Sequence, residues 1–177
     1  MIKVAINGFG TIGKRVADAV AAQPDMEVIG GVSKTSVSAE AYIAKERGYP
    51  PLYIADLSKR ETFEKAGIEV AGDVEAMLKA ADIVVDATPG GVGEKNRPIY
   101  ERLGKKAIFQ GGEDHEVAGF SFNAHANYKE AEKHQFARVV SCNSTGLVRI
   151  IHALDQAFGV ARVRAVMVRR AADPPTT

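Results

Sequence analysis

The amino-acid sequence predicts an α/β fold, a doubly wound parallel sheet followed by the beginning of a second, α+β region. Short apolar runs typical of buried strands alternate with stretches whose apolar residues recur at helical spacing, as expected for parallel strands covered by helices on both faces. A glycine-rich turn joins the first strand to the first helix at residues 8–13. After about residue 118 this alternation ends, which indicates a change of architecture.

The predicted elements follow one another in regular order. Strands are predicted over residues 2–7, 26–33, 52–55, 82–89 and 106–112. Helices are predicted over residues 11–23, 38–48, 59–67, 73–80 and 94–104, with Asp73 as an N-cap. Beyond residue 118, strands are predicted over 119–128 and 161–173, with a long helix over about 142–158 between them. We place the domain boundary at residues 140 and 141, so that 1–140 form the first domain and 141–177 begin the second.

Composition narrows the class of protein. With 46% hydrophobic and 25% charged residues, the chain can bury a good core and is not a disordered tail. A formal net charge of +1, from 23 basic and 22 acidic residues, shows no electrostatic footprint for nucleic acid or anionic membrane. One cysteine cannot form an internal disulfide, and the N-terminus resembles neither a signal peptide nor a membrane span. We expect a cytoplasmic protein with no nucleic-acid partner, no membrane partner and no metal site.

The turn at residues 8–13 has the pattern G-x-G-x-x-G, with glycine at Gly8, Gly10 and Gly13. Glycine allows the sharp turn, lets a pyrophosphate approach the backbone, and permits close packing of helix on strand. The predicted helix begins at Thr11, and the residues of its first turn, including Ile12, would offer free N–H groups to the phosphates. A merely tight turn is the alternative. The position of the motif between a predicted strand and a predicted helix favours a Rossmann-type dinucleotide-binding domain.

The end of the second strand bears on which dinucleotide is bound. A site selective for NAD usually carries an acidic residue there, whereas this chain has Ser33, Lys34 and Thr35. Lys34 and the neighbouring hydroxyl groups would hold a 2′-phosphate by charge and hydrogen bonds, so NADP is favoured over NAD. A solvated surface lysine is the alternative. Residues 87–91, including Thr88 and Pro89, follow another predicted strand and would face the same crevice or form a simple turn.

Cys142 is the only cysteine of the chain, and it stands between an apolar strand-like run and the predicted helix over 142–158. A thiol at a helix N-terminus lies at the positive end of the helix dipole, which favours the thiolate and makes Cys142 a candidate nucleophile. Asn143, Ser144 and Thr145 are suited to capping the helix or to donating to an oxyanion or phosphate. A buried structural cysteine is the alternative.

Five segments together carry a resemblance to a known family: INGFGTIGKRVADA, DIVVDATPGGVGEKN, AIFQGGE, RVVSCNSTGLVR and VRRAADP. In this order they resemble the archaeal-type phosphorylating glyceraldehyde-3-phosphate dehydrogenases over nearly all of residues 1–174. The resemblance implies Cys142 as the nucleophile, with Ser141 and Asn143 contacting the substrate. It also implies cofactor contacts, which involve Thr11, Ile12, Gly112, Arg170 and the neighbourhood of Lys34.

The resemblance further implies the chemistry and the setting. Glyceraldehyde 3-phosphate would be oxidised with NADP or NAD through a thioester on the cysteine, and inorganic phosphate would release 1,3-bisphosphoglycerate. The family is cytoplasmic and homotetrameric. Its members are about twice as long as this chain, and their second half supplies a histidine base and the phosphate-binding residues. None of the four histidines here matches that base, and His152 lies about 15 Å along the predicted helix from Cys142.

Three functions therefore remain open. The chain is a subunit of such a dehydrogenase, truncated or internally deleted; or an NADP-binding module without turnover; or a relative of the semialdehyde dehydrogenases, which share the cysteine chemistry. The doubled glycine at Gly30 and Gly31 adds one residue to the second strand relative to the family pattern. Such an insertion reverses the side-chain alternation of the strand unless a β-bulge absorbs it.

Overall fold

The computed structural model of the protein describes residues 1–33, 36–49 and 52–168. Within these residues, eight strands form one sheet: β1 Ile2–Asn7, β2 Met26–Ser33, β3 Leu52–Ile54, β4 Val70–Asp73, β5 Ile83–Asp86, β6 Lys106–Phe109, β7 Ser121–Phe122 and β8 Phe136–Val139. The helices of the same residues are α1 Thr11–Ala21, α2 Ala39–Glu46, α3 Arg60–Lys65, α4 Val74–Ala80, α5 Val92–Arg102, α6 His115–Ala118 and α7 Cys142–Phe158. Short 3₁₀ helices span Leu57–Lys59 and Tyr128–Lys133.

The strand order is β4-β3-β2-β1-β5-β6-β8-β7, and the recorded strand pairs are all parallel. The chain runs outward from β1 to β4, then crosses back through α4 to β5 and continues to the other edge. The direction of winding therefore changes between β1 and β5, and ligands of open α/β sheets bind at such a switch point. The predicted doubly wound parallel sheet is confirmed.

Two hydrophobic clusters lie on the two faces of the sheet, because neighbouring strand residues point to opposite faces. On β1, Val4 and Ile6 belong to the cluster under α1, α2 and α3, whereas Ala5 belongs to the cluster under α4, α5 and α6. Phe63 and Phe109, each at most 1% exposed, are among the large side chains buried in the first and second cluster. Burial of each large apolar side chain contributes roughly 1.5–3 kcal/mol.

β2 contains an extra residue opposite β1. Val4 pairs with Val28 and Ile6 with Gly31, so β1 advances two residues while β2 advances three. Gly30 lies inside this irregularity and has φ of 129°, which favours glycine. The doubled glycine is therefore absorbed by a β-bulge, one of the two outcomes expected from the sequence.

Two predicted strands need correction, and one strand was missed. The strand predicted over 119–128 is reduced to β7, and residues 162–168 of the strand predicted over 161–173 form no strand. Val70–Asp73 forms β4, which the sequence did not indicate, because its four residues include alanine, glycine and aspartate. The long helix is confirmed as Cys142–Phe158, and Asp73 is confirmed as the N-cap of α4, with its Oδ1 accepting from the Ala76 N–H at 2.8 Å.

α7 buries none of its residues. Ile150, Leu154 and Phe158 recur at a spacing of four and are 63%, 47% and 82% exposed, so they form an apolar stripe along one side of the helix. In the segment that follows, Val166 and Val168 are at least 90% exposed. The boundary predicted at residues 140 and 141 precedes this helix, and the division into two domains stays a prediction.

Candidate functional site

The candidate site lies at the carboxyl edge of the sheet, where the loops after β1, β5, β6 and β8 come together. Because the strands are parallel, their carboxyl ends share one edge. Adjacent strands are about 4.8 Å apart, so β8 lies roughly 10 Å from β5 and 14 Å from β1 along this edge. Gly8 follows β1, Thr88 and Pro89 follow β5, Gly112 follows β6, and Cys142 begins the helix after β8.

The glycines of the first loop have different structural roles. A Cβ at Gly13 would lie 2.0 Å from the carbonyl oxygen of Gly8, and a Cβ at Gly8 would lie 2.8 Å from the backbone of Ala87 and Thr88. Gly8 also has φ of 94°, so both positions exclude a side chain. A Cβ at Gly10, by contrast, would meet nothing within 4 Å. Gly10 thus leaves open space at the loop, which is where a pyrophosphate would approach the backbone.

α1 begins with an uncapped N-terminus. Its N-cap, Gly10, has no side chain, and its first turn contains no acidic residue. Thr11 and Ile12 are exposed, with Ile12 at 45%. The free N–H groups and the positive end of the helix dipole suit an anion such as a diphosphate.

α5 begins at the same edge, but its N-terminus is already occupied. Oε1 of Glu113 accepts hydrogen bonds from the N–H groups of Gly91 at 3.0 Å and Gly93 at 2.9 Å. The Glu113 side chain is 5% exposed and comes from the loop after β6. Of the two helices, α1 is therefore the one whose start is open to an anion.

A buried hydrogen-bond network supports the loop after β5. Asp86 is 1% exposed, and its carboxyl group accepts from the Thr88 N–H at 3.0 Å, the Thr88 hydroxyl, Asn96 Nδ2 at 2.9 Å and the Tyr100 hydroxyl at 2.6 Å. Tyr100 in turn accepts from Asn7 Nδ2 at 2.7 Å. Burial, and then the charge and hydrogen bond of Asp86, raise the pKa of the Tyr100 hydroxyl, so it remains a donor.

Cys142 is exposed and unpaired, and it is the first residue of α7. Ser141 is the N-cap, and its Oγ accepts from the Ser144 N–H at 3.2 Å. The sulfur lies 3.9 Å from Oδ1 of Asn143, which is half-buried. A thiol that is open to solvent at a capped helix start is accessible to an electrophile at this edge.

Three predicted cofactor contacts, Lys34, Thr35 and Arg170, lie outside the described residues. Of the remaining predicted contacts, Gly8, Gly10, Thr11, Ile12 and Gly13 lie at the first loop, and Thr88 and Pro89 lie at the loop after β5. Gly112 is exposed with φ of 90°. Their roles toward ligand stay predictions.

His152 and His115 are both well separated from Cys142 along the sequence. His152 is half-buried on α7, ten residues after Cys142. His115 lies at the start of α6, and its Nδ1 is 3.0 Å from Oγ of Ser121.

Within residues 1–33, 36–49 and 52–168, no group of three His, Cys, Asp or Glu side chains is arranged to hold a metal ion. In the same part of the chain, no helix has the length and apolar character needed to cross a membrane.

Sequence reasoning missed the polar residues behind the loops, of which four are buried and Asn96 is half-buried: Asn7, Asp86, Asn96, Tyr100 and Glu113. A weak signal exists for Asp86, since it is an acidic residue ending the otherwise apolar run DIVVD. A polar residue at that place is expected to have hydrogen-bond partners. Its partners at residues 96 and 100 become visible only when α5 packs beside β5.

The parallel sheet, the switch point and the glycine loop define a Rossmann-type NAD(P)-binding domain. A family model described as "Dihydrodipicolinate reductase, N-terminus" matches residues 2–144. The chain belongs to this family of N-terminal domains.

Curated relatives match over a longer range. A glyceraldehyde-3-phosphate dehydrogenase of Methanoregula boonei is 71% identical over 174 residues, which cover 98% of this chain and 50% of the relative. A glyceraldehyde-3-phosphate dehydrogenase of Methanosarcina mazei is 58% identical over 172 residues, which cover 97% of this chain and 50% of the relative. The resemblance predicted from the five segments is confirmed. The chain spans about half the length of these relatives.

Among solved structures, aspartate semialdehyde dehydrogenase II from Vibrio cholerae is similar with a TM-score of 0.60. The match covers 90% of this chain and 48% of that chain at 15% sequence identity. This likeness shows the fold, and it does not favour semialdehyde chemistry for this chain.

Proposed function

We propose that this chain forms the cofactor-binding half of an NAD(P)-dependent phosphorylating glyceraldehyde-3-phosphate dehydrogenase and carries its nucleophile. The observation that supports this most is the exposed Cys142 at the start of α7, on the sheet edge that also carries the glycine loop. The high identity to relatives of that name adds support.

The residues present fit a nicotinamide dinucleotide. The open space at Gly10 and the uncapped start of α1 suit its diphosphate. Lys34 and Thr35 are proposed to contact the adenosine ribose and to favour NADP, although NAD is also accepted. Thr88, Pro89 and Gly112 are proposed to border the other half, and Arg170 to contact the cofactor as well.

In the proposed mechanism, the thiolate of Cys142 attacks the aldehyde carbon of glyceraldehyde 3-phosphate and forms a thiohemiacetal. When bound, the nicotinamide would supply the oxidising power as a hydride acceptor. The product on Cys142 is a thioester, and inorganic phosphate attacks it to release 1,3-bisphosphoglycerate and the thiol. Ser141 and Asn143 orient the substrate beside the sulfur. We propose that the general base comes from the part of the relatives' length that this chain does not span.

The same resemblance supports a cytoplasmic location and a homotetramer for the protein at the length of its relatives. Glyceraldehyde 3-phosphate and inorganic phosphate are its proposed small-molecule partners. Neither nucleic acid nor membrane is proposed as a partner, given the net charge of +1.

A binding module without turnover is the second candidate. The observation that favours it is the span of about half the relatives' length, together with the distance of His152 from Cys142 along α7. Such a module would bind the dinucleotide at the glycine loop and leave the aldehyde unoxidised. Measuring the intact mass beside turnover separates the two, because turnover by a chain of 177 residues would exclude the module.

The proposed function is tested by Cys142→Ser. We expect this variant to lose oxidation of glyceraldehyde 3-phosphate, because a hydroxyl group is a far weaker nucleophile than a thiolate. NADP affinity should stay at the wild-type value, since the sulfur is not part of the glycine loop. The assay follows reduced nicotinamide in the presence of phosphate, and titration of the variant with NADP is the control. Retained oxidation by the serine variant would remove Cys142 from the mechanism.

A further inference from the structure

The loops after β5 and β6 are joined by the side chain of Glu113. Its Oε1 accepts from two N–H groups at the start of α5, those of the N-cap Gly91 and of Gly93 in the first turn. It thereby supplies the acceptor that an N-cap side chain would normally provide, because the cap position itself is Gly91 with φ of 79°. This buried oxygen is costly to remove, since both N–H groups would lose their partner and that of Gly93 is buried.

The two loops also touch directly. A Cβ at Gly111 would lie 2.1 Å from the carbonyl oxygen of Thr88, and a Cβ at Gly90 would lie 3.2 Å from the carbonyl oxygen of Gly111. This backbone contact leaves no room for a side chain between the loops. A shift of the loop after β6 would therefore displace the loop after β5.

Glu113 is in turn anchored to the strand that leads to the thiol. Its backbone carbonyl accepts from Nη1 of Arg138 at 2.7 Å. Arg138 lies on β8, four residues before Cys142, and its Nε donates to Ser121 Oγ at 2.8 Å. The loops after β5 and β6 and the segment that presents Cys142 thus share one set of contacts.

We propose that Glu113 is a positioning residue, which holds the loops after β5 and β6 in the arrangement that receives the nicotinamide half of the dinucleotide. The inference rests on the proposed function, because it takes the dinucleotide to bind at this edge. The adenosine half depends on other elements, namely the start of α1 and the end of β2. Loss of the Glu113 contact should therefore weaken the binding of the whole dinucleotide and leave the binding of its adenosine half unchanged.

The experiment compares Glu113→Leu with Glu113→Gln. Leucine has a similar size and accepts no hydrogen bond, whereas glutamine keeps one side-chain oxygen for both N–H groups. Each protein is titrated with NADP and NAD and with their adenosine halves, 2′,5′-ADP and ADP. We expect Glu113→Leu to bind the dinucleotide about tenfold more weakly, because the two loops lose the hydrogen bonds that hold them together. Its affinity for the half ligands should be unchanged. Glu113→Gln should restore affinity for the dinucleotide.

A matched control is Asp73→Ala, which removes the side-chain cap of α4 at the far edge of the sheet. This variant should melt at a lower temperature and keep wild-type affinity for both classes of ligand. If Glu113→Leu does not fold, Glu113→Asp takes its place. Aspartate is one methylene shorter, so Glu113→Asp should bind the dinucleotide more weakly than the wild type and bind its adenosine half equally well.

The outcomes separate the inference from the function on which it rests. Should the wild-type chain bind neither NADP nor NAD, the proposed cofactor site itself is wrong. Should the wild type bind and Glu113→Leu bind equally well, Glu113 does not position the loops. An equal loss of affinity for the dinucleotide and for the half ligand would also overturn the inference. So would a Glu113→Gln variant that binds the dinucleotide as weakly as Glu113→Leu.

Discussion

Residues of the same type at this sheet edge have separable roles, as Gly10 and Gly13 show. Gly13 is required because the carbonyl of Gly8 occupies the place of its Cβ, whereas the space beside Gly10 is open. Sequence reasoning assigned both to one motif. The structure separates a glycine needed for packing from a glycine that leaves room for a ligand.

The two glycines are tested with alanine. Gly13→Ala should destabilise the fold by about 3 kcal/mol or more, because its Cβ would lie 2.0 Å from a backbone oxygen. Gly10→Ala should leave the free energy of unfolding near the wild-type value, since its φ of −90° is accessible to alanine and nothing lies within 4 Å. The same substitution should weaken NADP binding. Urea unfolding and NADP titration measure the two effects, and wild-type affinity in Gly10→Ala would argue against a diphosphate at this loop.

Lys34→Ala tests the preference for NADP. Loss of a charge-assisted contact to the 2′-phosphate should weaken NADP by about 1–2 kcal/mol and leave NAD nearly unchanged. Calorimetric titration of wild type and variant with each dinucleotide gives the comparison. An equal loss for both ligands would contradict the assignment, because NAD lacks the 2′-phosphate.

The glycine loop could be predicted because its signal is local, a spacing within six residues. The support behind the loops could not, because Glu113 contacts Gly91 and Gly93 across about twenty positions of sequence. Asp86 likewise meets Tyr100 only after α5 has packed beside β5. Such contacts depend on tertiary structure, which a single sequence does not display.

At the scale of elements, the bulge in β2 shows how a strand accommodates an extra residue. The register with β1 is regular up to the pair Val4 and Val28 and resumes at Ile6 and Gly31. Beyond it, Val32 pairs with Tyr53 and Ser33 with Ile54 of β3. The irregularity is confined to the middle of the strand, and its end keeps its place beside β3.

The bulge makes Gly30 sensitive to substitution and tolerant of deletion. Gly30→Ala should cost about 1–3 kcal/mol, because φ of 129° is strained for a residue with a Cβ. Deletion of Gly30 should cost less, since it leaves Val28, Ile29 and Gly31 opposite Val4, Ala5 and Ile6 in regular register. Thermal unfolding of both variants tests this, and a deletion variant less stable than the alanine variant would contradict it.

Elements were predicted well where periodicity and capping agree, as at α4. At α7 the periodicity alone gave the helix, because its N-cap is Ser141 and not one of the residues 143–145 that were expected to cap it. Residues 162–168 were not predicted well, although valines at 163, 166 and 168 suit a strand. A strand needs a neighbour to satisfy its backbone, and no strand of the described residues pairs with this segment. β-propensity alone therefore gave the wrong prediction.

At the scale of the whole molecule, the sheet is well covered on both faces and α7 is not. Its stripe of Ile150, Leu154 and Phe158 is open to solvent. Exposed apolar patches of this kind mark surfaces that another part of the protein or another chain covers. The relatives' second half is the proposed cover in a protein of their length.

Without that second half, the 177-residue chain should associate through the stripe. We expect it to sediment as a dimer or larger species, and Ile150→Lys combined with Phe158→Lys to shift it toward the monomer, because two charges replace apolar surface. Leu57→Lys, at an exposed apolar residue in another part of the fold, is the control and should leave sedimentation unchanged. A wild-type chain that is monomeric at high concentration would contradict the prediction.

The unequal starts of α1 and α5 also bear on how a long ligand lies across the sheet. A dinucleotide is asymmetric about its diphosphate. Of these two helices, α1 would offer the diphosphate an uncapped N-terminus, whereas Glu113 accepts from Gly91 and Gly93 at the start of α5. If its centre is held on the β1 side, as proposed, the molecule would have one end toward β2 and the other toward β8. We therefore expect Glu113, which need not touch the ligand, to help decide which of the two bases of the dinucleotide points at the sulfur of Cys142.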